Sequence, residues 1–196
     1  PQLALDIILH TGTLAAVIIC YRLEVWNLLK ALLSYIAPGK VAVEGRWRKL
    51  LGLIIVSFVP TGIIGYLIGE RFAWVFGSPL FAASMLLITG TFLRFTGLKK
   101  VSEKAVKNSE KLSALDSFIV GVAQGIAVLP GISRSGATIS TGLFMGFSRE
   151  EAVRFSFLML LPATAAAQIW SLRGGHAGAA AEWPAYLAGA AVAFLT

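Results

Sequence analysis

The stretch Pro130-Gly-Ile-Ser-Arg-Ser-Gly-Ala-Thr-Ile-Ser140 gathers groups that complement an anion. Ser133, Ser135 and Thr138 carry hydroxyl donors, and Arg134 carries a planar fork of N–H groups with a permanent charge. Gly131 and Gly136 let the backbone bend and approach a ligand closely. If the chain is helical from Ser135 to Phe147, the first free N–H groups of that helix add to the same site. Every group is a donor or permits close approach, which is what a phosphate requires. A plainer reading competes for the hydroxyls, since Ser and Thr in membrane helices often bond only their own backbone. An Arg can likewise snorkel to an interface. Arg134 stands apart because it lies between two apolar half-segments with no acidic residue near it in sequence. An intramembrane charge costs at least about 2.5 kcal/mol at the bilayer centre and is functional by default.

The elements around this stretch belong to a membrane protein. Of 196 residues, 57% are hydrophobic and 14% charged, and the mean hydropathy is +0.77. A soluble domain is about half apolar and about a quarter charged, so too few charges are present to cover a water-facing surface. The net charge of +7 does not indicate nucleic acid, because eleven of the seventeen Lys and Arg fall in two short stretches between apolar runs. That clustering matches the cytoplasmic loops of membrane proteins. The single cysteine, Cys20, lies inside an apolar run and allows no internal disulfide.

Spans are expected at Leu3–Tyr21, Leu50–Gly69 with a kink at Pro60, Pro79–Gly97 and Arg149–Trp170. Val25–Ile36 reads as a short interfacial helix and Glu70–Ser78 as a turn. Asp116–Leu129 and Thr141–Phe147 are apolar but too short to span, and the polar break Ile132–Ser140 separates them. Together they predict a re-entrant hairpin over about 116–147 within a single membrane domain covering 1–196. Alternation of the spans places the basic segments 22–49 and 98–113 on one side, the cytoplasmic one. No Met opens the chain, and the apolar run from Pro184 stops after about a dozen residues where a span needs about twenty. An interior portion of a longer protein is therefore expected.

Other residues divide between structure and function. Asp6 and His10 stand at i and i+4 on one helix face and can pair, or His10 can meet substrate. Gln124 lies on the entering arm of the hairpin, where it either orients the loop by hydrogen bonds or simply packs. Ser148 reads as a helix N-cap, with Glu150 and Glu151 stabilising that terminus. Arg94 near the end of its span snorkels, and Gly174-Gly175-His176 is a loop.

The run Gln124-Gly-Ile-Ala-Val-Leu-Pro-Gly-Ile-Ser-Arg-Ser-Gly-Ala-Thr-Ile-Ser resembles the second signature of the undecaprenyl diphosphate phosphatases, a PGxSRSxxT pattern. It matches at Pro130, Gly131, Ser133, Arg134, Ser135 and Thr138. Leu5-Asp-Ile-Ile-Leu-His-Thr-Gly-Thr-Leu-Ala-Ala is similar to the family's first span, and Arg154-Phe-Ser-Phe-Leu-Met-Leu-Leu-Pro to the span after the second signature. Gln124 matches a Gln common in the family. The family's first signature, an acidic ExxxE-type element and a PxSSTGH-type loop, would lie upstream of residue 1.

The resemblance implies an all-α, polytopic helical bundle with a re-entrant helix-loop-helix segment, one part of an inverted-repeat architecture. Thr11-Gly-Thr-Leu-Ala-Ala-Val-Ile and Leu161-Pro-Ala-Thr-Ala-Ala-Ala-Gln-Ile each open a small-residue stretch of a span, as two such repeats would. It implies hydrolysis of a polyprenyl diphosphate in the bacterial inner membrane, recycling the lipid carrier of cell-wall synthesis and giving bacitracin resistance on overproduction. Arg134, Ser133, Ser135 and Thr138 would hold the diphosphate, with Gly131, Gly136, Gln124 and His10 in the binding site. A divalent cation, Mg2+ or Ca2+, would be held by the upstream glutamates, and no metal ligand is visible in the chain itself. The residues leave open a transporter or flippase for a lipid phosphate or small anion, and a catalytically inactive fragment.

Overall fold

Long continuous apolar runs broken by Gly, Pro and basic clusters favour helices, which satisfy their own backbone polar groups where lipid offers no partners. A computed structural model of the chain describes residues 2–96, 107–108, 110–173 and 183–195. The regular elements among the described residues are helices: α1 (Gln2–Cys20), α2 (Arg22–Ile36), α3 (Gly45–Arg71), α4 (Pro79–Thr96), α5 (Ala114–Ile126), α6 (Arg134–Phe144), α7 (Arg149–Arg173) and α8 (Trp183–Leu195). A single 3-10 turn, Ala73–Gly77, joins α3 to α4. Among the described residues α3 and α4 are long and apolar enough to cross a membrane. Large apolar side chains stand exposed along α4, among them Leu80, Leu86, Leu87 and Ile88, the exposure that lipid rather than water tolerates.

The chain divides into two compact units, Pro1–Leu29 with Leu158–Thr196, and Lys30–Phe157. In the first, α1 packs along α8. In the second, α3 packs along α5, and α6 packs on both α4 and α5.

The α3–α5 seam is close because small residues face each other. A methyl group at Gly121 would collide with the backbone carbonyl of Ser57, so only Gly lets the two helices approach this far. The Thr61 hydroxyl lies 2.8 Å from the carbonyl oxygens of both Ser57 and Gly121 and can donate to either. Pro60 sits inside α3, which continues through it without interruption.

Capping sets where the hairpin arms begin. Ser113 opens α5 with a capping box: its Oγ accepts from the Asp116 N–H at 3.1 Å, and Asp116 Oδ2 accepts from the Ser113 N–H at 3.0 Å. Ser148 caps α7, its Oγ accepting from the Glu151 N–H at 3.2 Å. Lys107 ties both arms together at their base. Its N–H donates to the Gly146 carbonyl at 2.8 Å, and its carbonyl accepts from the Ser148 N–H at 2.9 Å. Its Nζ also donates to Asp116 Oδ1 at 2.9 Å. Phe147 and Phe155, both fully buried and edge to face with centroids 6.0 Å apart, fill the space beneath.

Several boundaries differ from the sequence expectation, among them an interfacial helix that starts at Arg22 rather than Val25 and an α7 that runs to Arg173 rather than Trp170. The third helix starts at Gly45 rather than Leu50, so Arg46, Arg48 and Lys49 ride on its first turn. The polar stretch from Arg134 to Ser140 is helical rather than a break, because Ser133 caps it and much of its polarity turns inward. The fifth helix begins two residues early, at its Ser113 cap. The basic loop over 99–111 and the Gly174-Gly175-His176 loop fall largely or wholly outside the described residues.

Candidate anion-binding site

The site is the tip between α5 and α6. Ala127, Val128 and Leu129 continue from α5 through tightened turns, with N–H donation to Ala123, Gly125 and Ile126 carbonyls. Pro130 then ends the helix by lacking an N–H. Gly131 follows at φ +90°, a conformation that L side chains avoid, and it packs so closely on the Ala82 backbone of α4 that a methyl group would collide. This reversal delivers Ser133 in an extended conformation to the start of α6.

Ser133 is the N-cap. Its Oγ accepts from the Gly136 N–H at 3.1 Å, and its carbonyl accepts from the Ala137 N–H at 2.8 Å. The N–H groups of Arg134 and Ser135 are then the first two of the helix without a helical partner, and they point out of its N-terminus. The Ser135 hydroxyl is 3.5 Å from that of Ser133, and Ser135 is exposed. Arg134 is half-buried. Its guanidinium makes no hydrogen bond or ion pair with any described residue, and an intramembrane charge left so is costly. Two backbone donors and two hydroxyls lie at one helix N-terminus of which Arg134 is the first residue, and the helix dipole has the sign that favours an anion there.

A second layer holds the loop from behind. The Thr89 hydroxyl, on α4, accepts from the Ser133 N–H at 3.4 Å while donating to Met85 at 3.0 Å. Gly136 is buried against Ser133 and Thr89. Thr138 is only 1% exposed. Its hydroxyl lies 2.6 Å from that of Ser156 on α7 and 2.9 Å from the Arg134 carbonyl. Thr138 therefore sits behind the anion site rather than in it. Thr89 and Ser156 escaped the sequence reading because a lone hydroxyl in an apolar run bonds its own helix by default. Ser156 does fall within the family-like stretch from Arg154, which is the one signal that pointed there.

Gln124 is 2% exposed, and neither its Oε1 nor its Nε2 has a hydrogen-bond partner. Of its two readings, orienting bonds or packing alone, the described residues provide only packing. His10 lies on α1, exposed, in the other compact unit. No group of three or more His, Cys, Asp or Glu able to hold a metal ion occurs among the described residues.

Comparison with known proteins decides the family. The model of the family described as "Bacitracin resistance protein BacA" matches residues 1–196. The chain belongs to this family. It is 43% identical over 199 residues to the undecaprenyl-diphosphatase of Syntrophotalea carbinolica, covering all of this chain and 72% of that protein. It is 40% identical over 184 residues to the undecaprenyl-diphosphatase of Desulforapulum autotrophicum, covering 90% of this chain and 66% of that one. The protein of the same name from Desulfatibacillum aliphaticivorans is 40% identical over 192 residues, covering 94% and 68%. The chain thus spans roughly two thirds to three quarters of the length of these relatives.

Proposed function

We propose that this chain hydrolyses undecaprenyl diphosphate to undecaprenyl monophosphate and inorganic phosphate, returning the lipid carrier of cell-wall synthesis to use. The observation that carries this reading is the half-buried guanidinium of Arg134, unpaired among the described residues, at the capped N-terminus of α6. Membership of the family and the shared name of its relatives supply the substrate.

One water is consumed overall. Its oxygen ends in inorganic phosphate as the bond between the terminal phosphorus and the bridging oxygen breaks, leaving that oxygen on the monophosphate. Arg134 and the N–H groups of Arg134 and Ser135 bind the phosphoryl oxygens on which charge is spread during transfer, and the Ser133 and Ser135 hydroxyls donate to the same group. Such chemistry is mostly positioning and electrostatic stabilisation. Thr138 contributes by fixing the helix that presents these donors. Gly131 and Gly136 bring backbone close, and Gln124 offers from the entering arm an amide that has no partner among the described residues. A divalent cation, Mg2+ or Ca2+, would neutralise diphosphate charge. The described residues do not fit it, since the tip offers donors and no carboxylate, so no step here is assigned to the cation.

The setting is the bacterial inner membrane, crossed several times, with 22–49 and 98–113 cytoplasmic. The hairpin would be re-entrant and the fold one part of an inverted repeat. The 13 residues of α5 rise roughly 20 Å from the cytoplasmic base, beyond the middle of a hydrocarbon core about 30 Å thick. That depth favours a site opening outward.

The test is phosphate release from undecaprenyl diphosphate in detergent with Mg2+ or Ca2+, comparing the chain with Arg134→Ala. The variant is expected to lose at least about a hundredfold in rate, the effect of deleting one transition-state donor. Near-normal turnover by Arg134→Ala would sink the assignment. Binding without release would favour a carrier, which needs a sealed membrane to show its activity.

A further inference from the structure

The end of α2 and the start of α3 form a surface that the anion site does not use. One bond ties them: Arg48 Nε donates to Ser34 Oγ at 3.2 Å, and that hydroxyl donates to the Ala31 carbonyl at 2.7 Å. Ala31 and Ser34 are buried, as are Trp47 and Leu50 of α3. The opposite face of α2 is large and apolar. Leu32, Leu33 and Ile36 stand 44%, 49% and 73% exposed, with Ile36 one turn beyond the two leucines on the same face. The 15 residues of α2 rise roughly 22 Å, too little to cross a hydrocarbon core about 30 Å thick. A short helix with one apolar face lies in the interface, that face among acyl chains.

The charges beside this face are nearly all of one sign. From Lys30 to Lys49 the chain carries five basic residues and one acid, Glu44. Lys40, Arg46, Arg48 and Lys49 are exposed. Glu44 pairs with Arg46 at 2.6 Å, while Lys49 reaches only a carbonyl, that of Glu110, among the printed contacts of its charge. A further cation joins them: the guanidiniums of Arg46 and Arg154 lie 5.0 and 5.6 Å from the centroid of the one Trp47 ring. Like charges gathered in this way repel, and a layer of anions relieves the repulsion. An apolar stripe bordered by cations complements an anionic lipid monolayer, acyl chains to the stripe and phosphates to the cations. We propose that this surface docks on anionic phospholipids of the leaflet it faces, with Leu32, Leu33 and Ile36 among the acyl chains and Lys40, Arg46 and Lys49 against the phosphates. The inference stands apart from hydrolysis and rests on the chain's lying in a membrane. Zwitterionic lipid satisfies the stripe but not the charges, so the surface selects by headgroup.

The test uses the protein in liposomes, with Cys20→Ser removing the native thiol and a bimane label on Ile36→Cys. The reference is a label on Leu86→Cys of α4, an exposed position about two turns from Arg94, the one charged residue of that helix. Phospholipids brominated on the acyl chain quench a label that they touch. At position 36 brominated phosphatidylglycerol is expected to bind about fivefold or more tightly than brominated phosphatidylcholine, the gain that one basic residue near an anionic surface confers. At position 86 the two lipids should quench alike. The variant Lys40→Gln/Arg46→Gln/Lys49→Gln is expected to bring the ratio at 36 close to one and leave that at 86 unchanged. Equal affinities at 36 in the parent overturn the proposal. So does a preference that survives in the triple variant, eluting as the parent does on gel filtration. Quenching at 86 but by neither lipid at 36 means that protein covers the stripe, and the proposal fails. Quenching at neither position overturns the membrane placement and the docking surface with it.

Discussion

Thr138 of α6 and Ser156 of α7 hold their hydroxyls 2.6 Å apart, both side chains buried. The pair joins the helix that presents the anion donors to the helix behind it. Thr138→Val removes the hydroxyl at nearly constant shape and leaves Ser156 without this bond, a loss of about 1–3 kcal/mol for a buried orphaned group. Ser156→Ala should cost less, and the double variant should cost less than the sum. A cycle of thermal unfolding in detergent measures the coupling, and strict additivity would contradict the pairing.

Arg134→Lys keeps a positive charge but not the planar fork. It is expected to retain more phosphate release than Arg134→Ala and well below the parent rate. Full restoration by Lys would show that charge alone suffices and that forked hydrogen bonding to the phosphoryl group plays no part.

Gln124 has its whole amide buried without a partner among the described residues, which costs stability unless something else uses it. Gln124→Met, of similar shape and apolar, is expected to raise the melting temperature in detergent or leave it unchanged while phosphate release falls. Stability bought at the expense of activity marks a group kept for function. A lower melting temperature would instead show that the amide is satisfied in the resting protein.

Lys107 and Asp116 carry a pH dependence of definite sign. Burial pushes the Asp116 carboxyl up, but the Lys107 and Ser113 hydrogen bonds and the Lys107 charge outweigh it, so its pKa lies below the ordinary 3.8. A carboxyl with a depressed folded-state pKa contributes stability that is complete above the unfolded value and is lost as pH falls through the folded one. Unfolding scans should therefore show a stability loss below about pH 4. Asp116→Asn should be less stable at pH 7 and show a shallower acid loss. Equal slopes for the two proteins would remove Asp116 from the account.

Gly131→Ala tests the hairpin tip. Its φ of +90° and its contact with the Ala82 backbone leave no room for a side chain, so the reversal must shift. Phosphate release should fall much further than stability, because Ser133 and Arg134 are displaced with it. Unimpaired release would show that the tip tolerates movement.

Much of this protein was legible in its residues one after another. Apolar runs of spanning length, Pro79 at the start of α4, Ser148 at the start of α7 and the basic clusters between runs are local signals, and helices form from local bonds. The donor-rich stretch around Arg134 was equally plain, because an intramembrane Arg among Ser and Gly has few other uses. Periodicity could not show that the polar stretch after Ser133 is itself helical. That depends on where each hydroxyl goes: Thr138 to Ser156, and the Ser133 N–H to Thr89, forty-four positions earlier. Lys107 reaching Asp116 and the backbone of 146–148, Gly131 resting on Ala82, and Arg48 donating to Ser34 are likewise decisions of packing. Each joins residues from separate elements, and no local propensity encodes which element a helix will meet. Composition and spacing determined that the chain would be helical and carry a donor-rich stretch around Arg134, and only tertiary packing decided which of its hydroxyls stay exposed and which are spent holding the loop in place.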